Sequence, residues 1–252
     1  MVMFNKLLIG AFLLIASMAV KAESITIAAA ADLKYAMDEI VSEFKKQNPS
    51  ESISVSYGSS GKIFTQIQQG APYDMFFSAD MHYPKELFNT GLALEDAKFL
   101  AYGRLVLWSS SIDTKKLTLQ DLGSDAVKRI AIANPKHAPY GKRAEEALRK
   151  VDVWDKIQSK FVFGENIAQT AQFALTGNAD IGIIALSLAV NPEMSKRGNY
   201  SLIPENLHSP LEQGFVITKR AGANQLAKSF ASFVVSKPSM DILQRYGFVI
   251  KK

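Results

Sequence analysis

Apolar positions along the chain fall into short continuous runs that alternate with stretches of helical periodicity. Residues 24–30 (SITIAAA) read as a strand that fades into small side chains. Leu33, Met37, Ile40, Val41 and Phe44 then recur at helical spacing, with Lys45 and Lys46 in the last turn. A second unit follows: strand 53–57, the loop Gly58-Ser59-Ser60-Gly61, and a helix carrying Ile63, Phe64 and Ile67 that Gly70 ends. Residues 75–79 read as a strand buried on both faces, and residues 104–109 and 129–133 as two more. The last of these runs through residues 134–141 into a helix over 142–150. Residues 161–163 lead through Gly164-Glu165-Asn166 into a helix holding Ala168, Ala171, Phe173 and Ala174. A buried strand over 181–185, an extended segment at 199–203, a late strand at 214–219 and helices near 226–235 and 239–246 complete the pattern. Alternating strands and helices predict an α/β fold with mostly parallel sheets. In such folds ligands sit beyond the carboxyl ends of the strands, so the strand-to-helix turns are the places to look for function.

One apolar run does not fit this pattern. Residues 7–20 are uncharged, follow Lys6, and lead into Val20-Lys21-Ala22, with small residues flanking a cleavage position. A basic start, a short apolar stretch and such an exit predict a secretory signal peptide over residues 1–22 and a soluble mature chain from residue 23. The run is short for a membrane span, which needs about 20 apolar residues.

Without Lys6 and Lys21, 27 basic residues face 24 acidic ones, a mild excess with no dense basic block, so nucleic acid is not an expected partner. The chain has no cysteine, which leaves the exported protein to its hydrophobic core and removes any thiol for a lipid anchor. A freely diffusing protein needs an enclosed compartment, and the periplasm is expected.

Four turns have a composition that invites a ligand. Residues 28–32 carry almost no side chain until Asp32, which occupies a helix N-cap position. Ser59 and Ser60 pair two hydroxyls with two glycines. Pro139 and Tyr140 open a helix, and Asn166 with Gln169 has the form of a capping box. A helix N-terminus exposes unpaired N–H groups and about half a positive charge, so four that converge would balance roughly two negative charges. Taken singly, each turn is an ordinary capped helix start.

The segments around Asp32 (AAADLKYAM), Ser60 (YGSSG) and residues 70–80 (GAPYDMFFSAD) resemble the first lobe of periplasmic molybdate-binding proteins. Residues 134–141 (NPKHAPYG), 164–167 (GENI) and 244–250 (QRYGFVI) continue the likeness through essentially the whole mature chain. The resemblance implies a two-lobed type II periplasmic binding protein fold with the ligand cleft between the lobes and two hinge crossovers. Residues 23–102 with 214–252 would form the first lobe and residues 103–213 the second. It implies that Asp32, Ser60, Tyr140 and Ile167 contact the oxyanion, with Ser59 a secondary candidate. Ser60 would donate through hydroxyl and backbone, Tyr140 and Ile167 through backbone N–H groups. It further implies molybdate or tungstate as bound ligand, no cofactor, no direct metal ligand, a monomer, and an ABC importer permease as partner.

Two positions depart from that pattern. Asp32 stands where many relatives have serine, and an ionised carboxylate about 4 Å from a dianion repels each of its two charges by roughly 4 kcal/mol at an effective dielectric of 20. Asp32 is therefore expected to turn its side chain away as a helix cap. The alternative is that it accepts a proton from a protonated oxyanion such as phosphate; sulfate is a further alternative ligand. Ala185 stands where relatives often have a donating tyrosine, and Tyr140 is a candidate replacement. An enzyme is the rival class. His82, His137 and His208 show no metal-ligand spacing, no G-x-S-x-G elbow is present, and Ser59 and Ser60 lack an evident base. Trp108 and Trp154 are expected in the core rather than as a sugar platform.

Overall fold

Short apolar runs become strands here because both their faces are covered. The computed structural model describes residues 23–250; the leader expected over residues 1–22 lies outside them. Among the described residues, ten strands form two five-stranded sheets. The first sheet, in the order β2-β1-β3-β10-β4, contains β1 (Ser24–Ala30), β2 (Ser52–Gly58), β3 (Met75–Ser78), β4 (Lys98–Gly103) and β10 (Leu211–Ile217). The second, in the order β7-β6-β8-β5-β9, contains β5 (Leu105–Ser109), β6 (Ile130–Ala133), β7 (Phe161–Gly164), β8 (Ile181–Ala185) and β9 (Asn199–Leu202). The central strands β3, β6 and β8 are buried at every residue, which is why they read as unbroken apolar runs.

Helices cover the sheets: α1 (Lys34–Gln47), α2 (Ser60–Gln68), α3 (His82–Asn89), α4 (Pro139–Lys150), α5 (Trp154–Ile157), α6 (Ile167–Leu175), α7 (Leu186–Ala189), α8 (Pro192–Arg197), α9 (Gln225–Val234) and α10 (Lys237–Arg245). The periodic positions of α1 are its buried ones, and Phe44 packs edge-on against Phe230 of α9 at 5.3 Å between ring centres. Leu226, Phe230 and Val234 of α9 and Leu243 of α10 share one core with Ile27 of β1 and Phe77 of β3, so the end of the chain builds the first lobe. Trp108 and Trp154 lie in the core of the second lobe, as expected.

The two-lobed α/β arrangement is the one expected, but the sheets are mixed rather than mostly parallel. β1 pairs in parallel with β2 and β3, and β6 with β7 and β8; the four pairings made by β10 and β5 are antiparallel. The reason lies in the connections. The chain passes from β4 of the first sheet to β5 of the second through Arg104 alone and returns between Leu202 and Leu211. Strands that carry the chain between lobes have no crossover helix to bring them back in the same direction. β10 begins at Leu211, a few residues before position 214, and its pairing with β4 slips at a bulge between Gln213 and Gly214.

Candidate functional site

The four turns singled out in the sequence end at one place. β1, β2, β6 and β7 present their carboxyl ends to the gap between the sheets. A pocket there is lined by Ala30, Ala31 and Asp32, by Gly58, Ser59 and Ser60, by Ala79, by Ala138, Pro139 and Tyr140, and by Ile167. Asp32, Ser60, Tyr140, Ile167 and Ser59 are all among these residues. The free volume is about 10 Å³, near the least that admits one water-sized sphere, which leaves no room for a sugar or an amino acid.

Local chemistry sets each turn. Pro139 stands in the first turn of α4, where its missing N–H costs nothing. Asn166 Oδ1 accepts from the N–H groups of Ala168 and Gln169, both at 3.0 Å. That cap leaves the N–H of Ile167, at the first helical position, beyond the reach of any intrahelical carbonyl. Gly141 is required where it stands: a Cβ there would lie 2.0 Å from the carbonyl oxygen of Ala133, so only glycine lets α4 start hard against the end of β6. Helix starts supply N–H groups and partial positive charge with no cationic side chain among the lining residues.

Ser60 is fully buried, and its Oγ accepts the N–H of Ala79 at 3.0 Å. That bond uses a lone pair and leaves the O–H to donate elsewhere.

Asp32 does not cap its helix. The turn Ala31–Leu33 carries no side-chain cap, and the Asp32 carboxylate, 1 % exposed, faces donors from distant elements instead. Gln213 Nε2 donates to Asp32 Oδ2 at 2.5 Å and Tyr140 Oη donates to the same oxygen at 3.0 Å. Ser187 Oγ donates to the Asp32 carbonyl at 2.7 Å. The expected cap is thus overturned by donors that only the folded lobes bring together. Burial pushes the Asp32 carboxyl up to about 6, against the pull of Gln213 and Tyr140. Burial and the neighbouring carboxylate also hold the Tyr140 hydroxyl well above its ordinary range. That hydroxyl is engaged with Asp32, so it does not take the place of the tyrosine absent at Ala185, itself buried at the end of β8.

Contacts across the gap flank the pocket on two sides. On one, Ser59 Oγ and His137 Nδ1 lie 2.9 Å apart, and the N–H of Gly61 donates to the His137 carbonyl at 2.9 Å. Glu165 sits 3.7 Å from His137 Nε2 and pairs with Lys62. Partial burial lowers the His137 pKa, opposed by Glu165. On the other side Arg143 reaches Asp80 at 3.2 Å and Glu146 at 2.7 Å. Each set joins the two lobes, which stand closed over the pocket.

Sequence reasoning missed Gln213, Ser187 and Ala79. Gln213 and Ser187 lie 181 and 155 positions from Asp32. Gln213 lies two residues after the buried Leu211 on β10, so alternation turns it inward, but nothing local in the sequence links it or Ser187 to Asp32. Among the described residues no group of three or more His, Cys, Asp and Glu gathers in a way that would hold a metal ion.

Helix starts converging between two lobes, with closing contacts on both sides, define a solute-binding protein. The chain belongs to the bacterial extracellular solute-binding protein family, whose profile matches residues 25–249; it is a family of binding proteins, not enzymes. Among curated relatives, the molybdate-binding protein ModA of Rhodobacter capsulatus is 35% identical over 201 residues, covering 78% of this chain and 77% of the relative. ModA of Azotobacter vinelandii is 34% identical over 234 residues, 91% of each chain. The solved periplasmic molybdate-binding protein of Azotobacter vinelandii superposes with a TM-score of 0.84 at 30% identity, covering 90% of this chain and 100% of that one.

Proposed function

We propose that this chain captures molybdate or tungstate in the periplasm and delivers it to an ABC importer, binding the ion as an intact oxyanion without a cofactor. The observation that carries this reading is the small pocket lined by helix starts and hydroxyls with no lysine or arginine in it. Fixed N–H and O–H donors match a fully ionised tetrahedral anion and give it about as much positive charge as it needs. The likeness to molybdate-binding relatives over nine-tenths of the chain supports molybdate within that class.

In this reading Ser60 donates its hydroxyl and backbone N–H, Tyr140 and Ile167 donate backbone N–H groups, and Asp32 and Ser59 complete the wall. The protein acts as a monomer with lobes that divide where the chain changes sheets, exported by its leader, and presents its closed form to the importer's permease. A thermal-shift screen of molybdate, tungstate, sulfate, phosphate and chromate tests the ligand class, because a ligand that binds only the native state raises Tm. Sulfate or phosphate is the second reading, favoured by the buried Asp32 at the pocket wall.

A further inference from the structure

The cluster around Asp32 is short of donors. Asp32 Oδ2 accepts two hydrogen bonds, yet Asp32 Oδ1 and Gln213 Oε1 are both buried without a hydrogen-bond partner. The N–H groups of Asp32 and Leu33 lie close enough to the carboxylate to pull its pKa down, but neither reaches Oδ1 with hydrogen-bond geometry. A buried acceptor left unpaired costs about 1–3 kcal/mol, and more if it is charged. Asp32 lines the pocket, so an anion bound there meets a carboxylate whose free oxygen has only lone pairs to offer.

We propose that capture of the oxyanion takes one proton from solvent onto Asp32, whose Oδ1–H then donates to the bound anion. This rests on the oxyanion reading of the pocket. One O–H bond forms at Oδ1, the proton comes from buffer, and the loaded site holds the dianion beside a neutral acid. Oδ2 keeps its bonds from Tyr140 and Gln213, which favours the proton on Oδ1. The change turns the one repulsive group of the wall into a donor. The raised pKa of Asp32, about 6 before any anion is counted, runs in the same direction.

Other groups facing Asp32 do not supply this proton. α4 presents Tyr140, the bulge of β10 presents Gln213 and α7 presents Ser187, while α6 has no ionisable side chain. On its own helix, Lys34 is paired with Asp38 at the surface. The other charged clusters at the pocket's edge are His137 with Glu165 and Lys62, and Arg143 with Asp80 and Glu146.

Calorimetry of the mature chain with molybdate, in pairs of buffers with contrasting ionisation enthalpies at pH 6, 7 and 8, tests the proposal. The expected result is uptake of about one proton at pH 8, less at pH 6, and a Kd that rises roughly tenfold per pH unit above pH 7. Asp32→Asn should abolish both the uptake and the pH slope. Binding without buffer-dependent heat in the wild-type chain overturns the proposal, and so does uptake that survives in Asp32→Asn. The wild-type result stands even if the variant does not fold. Absence of binding by molybdate, tungstate, sulfate and phosphate alike removes the oxyanion reading, and this proposal with it.

Discussion

Gln213 Nε2 stands 2.5 Å from Asp32 Oδ2, so the strand that returns from the second sheet is tied to the first turn of the first sheet. Asp32 lines the pocket, so this bond holds a residue of the pocket wall. Replacing Gln213 with leucine removes a donor to a buried carboxylate and should cost about 2 kcal/mol of stability at pH 7. Urea unfolding measures it; a variant as stable as wild type would mean the bond contributes nothing net.

Asp32 sets a pH dependence of stability in the unliganded protein. Its folded-state pKa of about 6 lies above the ordinary 3.8, so the native chain binds the proton more tightly than the unfolded one. The favourable contribution is complete below about pH 4 and is lost as pH rises through 6, about 3 kcal/mol in all. Asp32→Asn, neutral throughout, should lack this loss, and its Tm advantage over wild type should grow between pH 4 and 6.5. Parallel Tm curves for the two proteins across that range would contradict the assignment.

Gly61 sets how closely the lobes approach. A Cβ at this position would lie 2.7 Å from the His137 carbonyl oxygen, on the opposite lobe. Gly61→Val should hold the lobes apart, weaken ligand binding at least tenfold and leave unfolding in urea nearly unchanged. Small-angle scattering should show wild type contracting on ligand addition and the variant not.

Ser60 is predicted to donate directly to the ligand. Ser60→Ala removes that hydroxyl and the acceptor for the Ala79 N–H, and should weaken molybdate binding by about 2 kcal/mol, roughly thirtyfold. Calorimetry of the variant reads this; unchanged affinity would place the ligand elsewhere.

Much of this molecule was legible in its sequence because the signals are short-range. An apolar run followed by a cap and a periodic stretch fits within about thirty residues, and each such unit became a strand and helix in place. The Asn166 cap and Pro139 at a helix start are local rules that the structure keeps. β4 and α3 were not anticipated: β4 exists through its pairing with β10, and α3 is eight residues long with Pro84 inside it. Strand direction also escaped, since it follows from where the chain crosses between lobes. Asp32 shows the limit most sharply. By local rules it is a cap, yet Tyr140 and Gln213, distant in sequence, offer its carboxylate better-placed donors.

Calorimetric titration of the mature chain with molybdate, tungstate, sulfate and phosphate at pH 7 decides whether it captures an oxyanion such as molybdate. One molybdate or tungstate per chain is expected, bound more tightly than sulfate or phosphate. Tight binding of phosphate with no binding of molybdate or tungstate would contradict it.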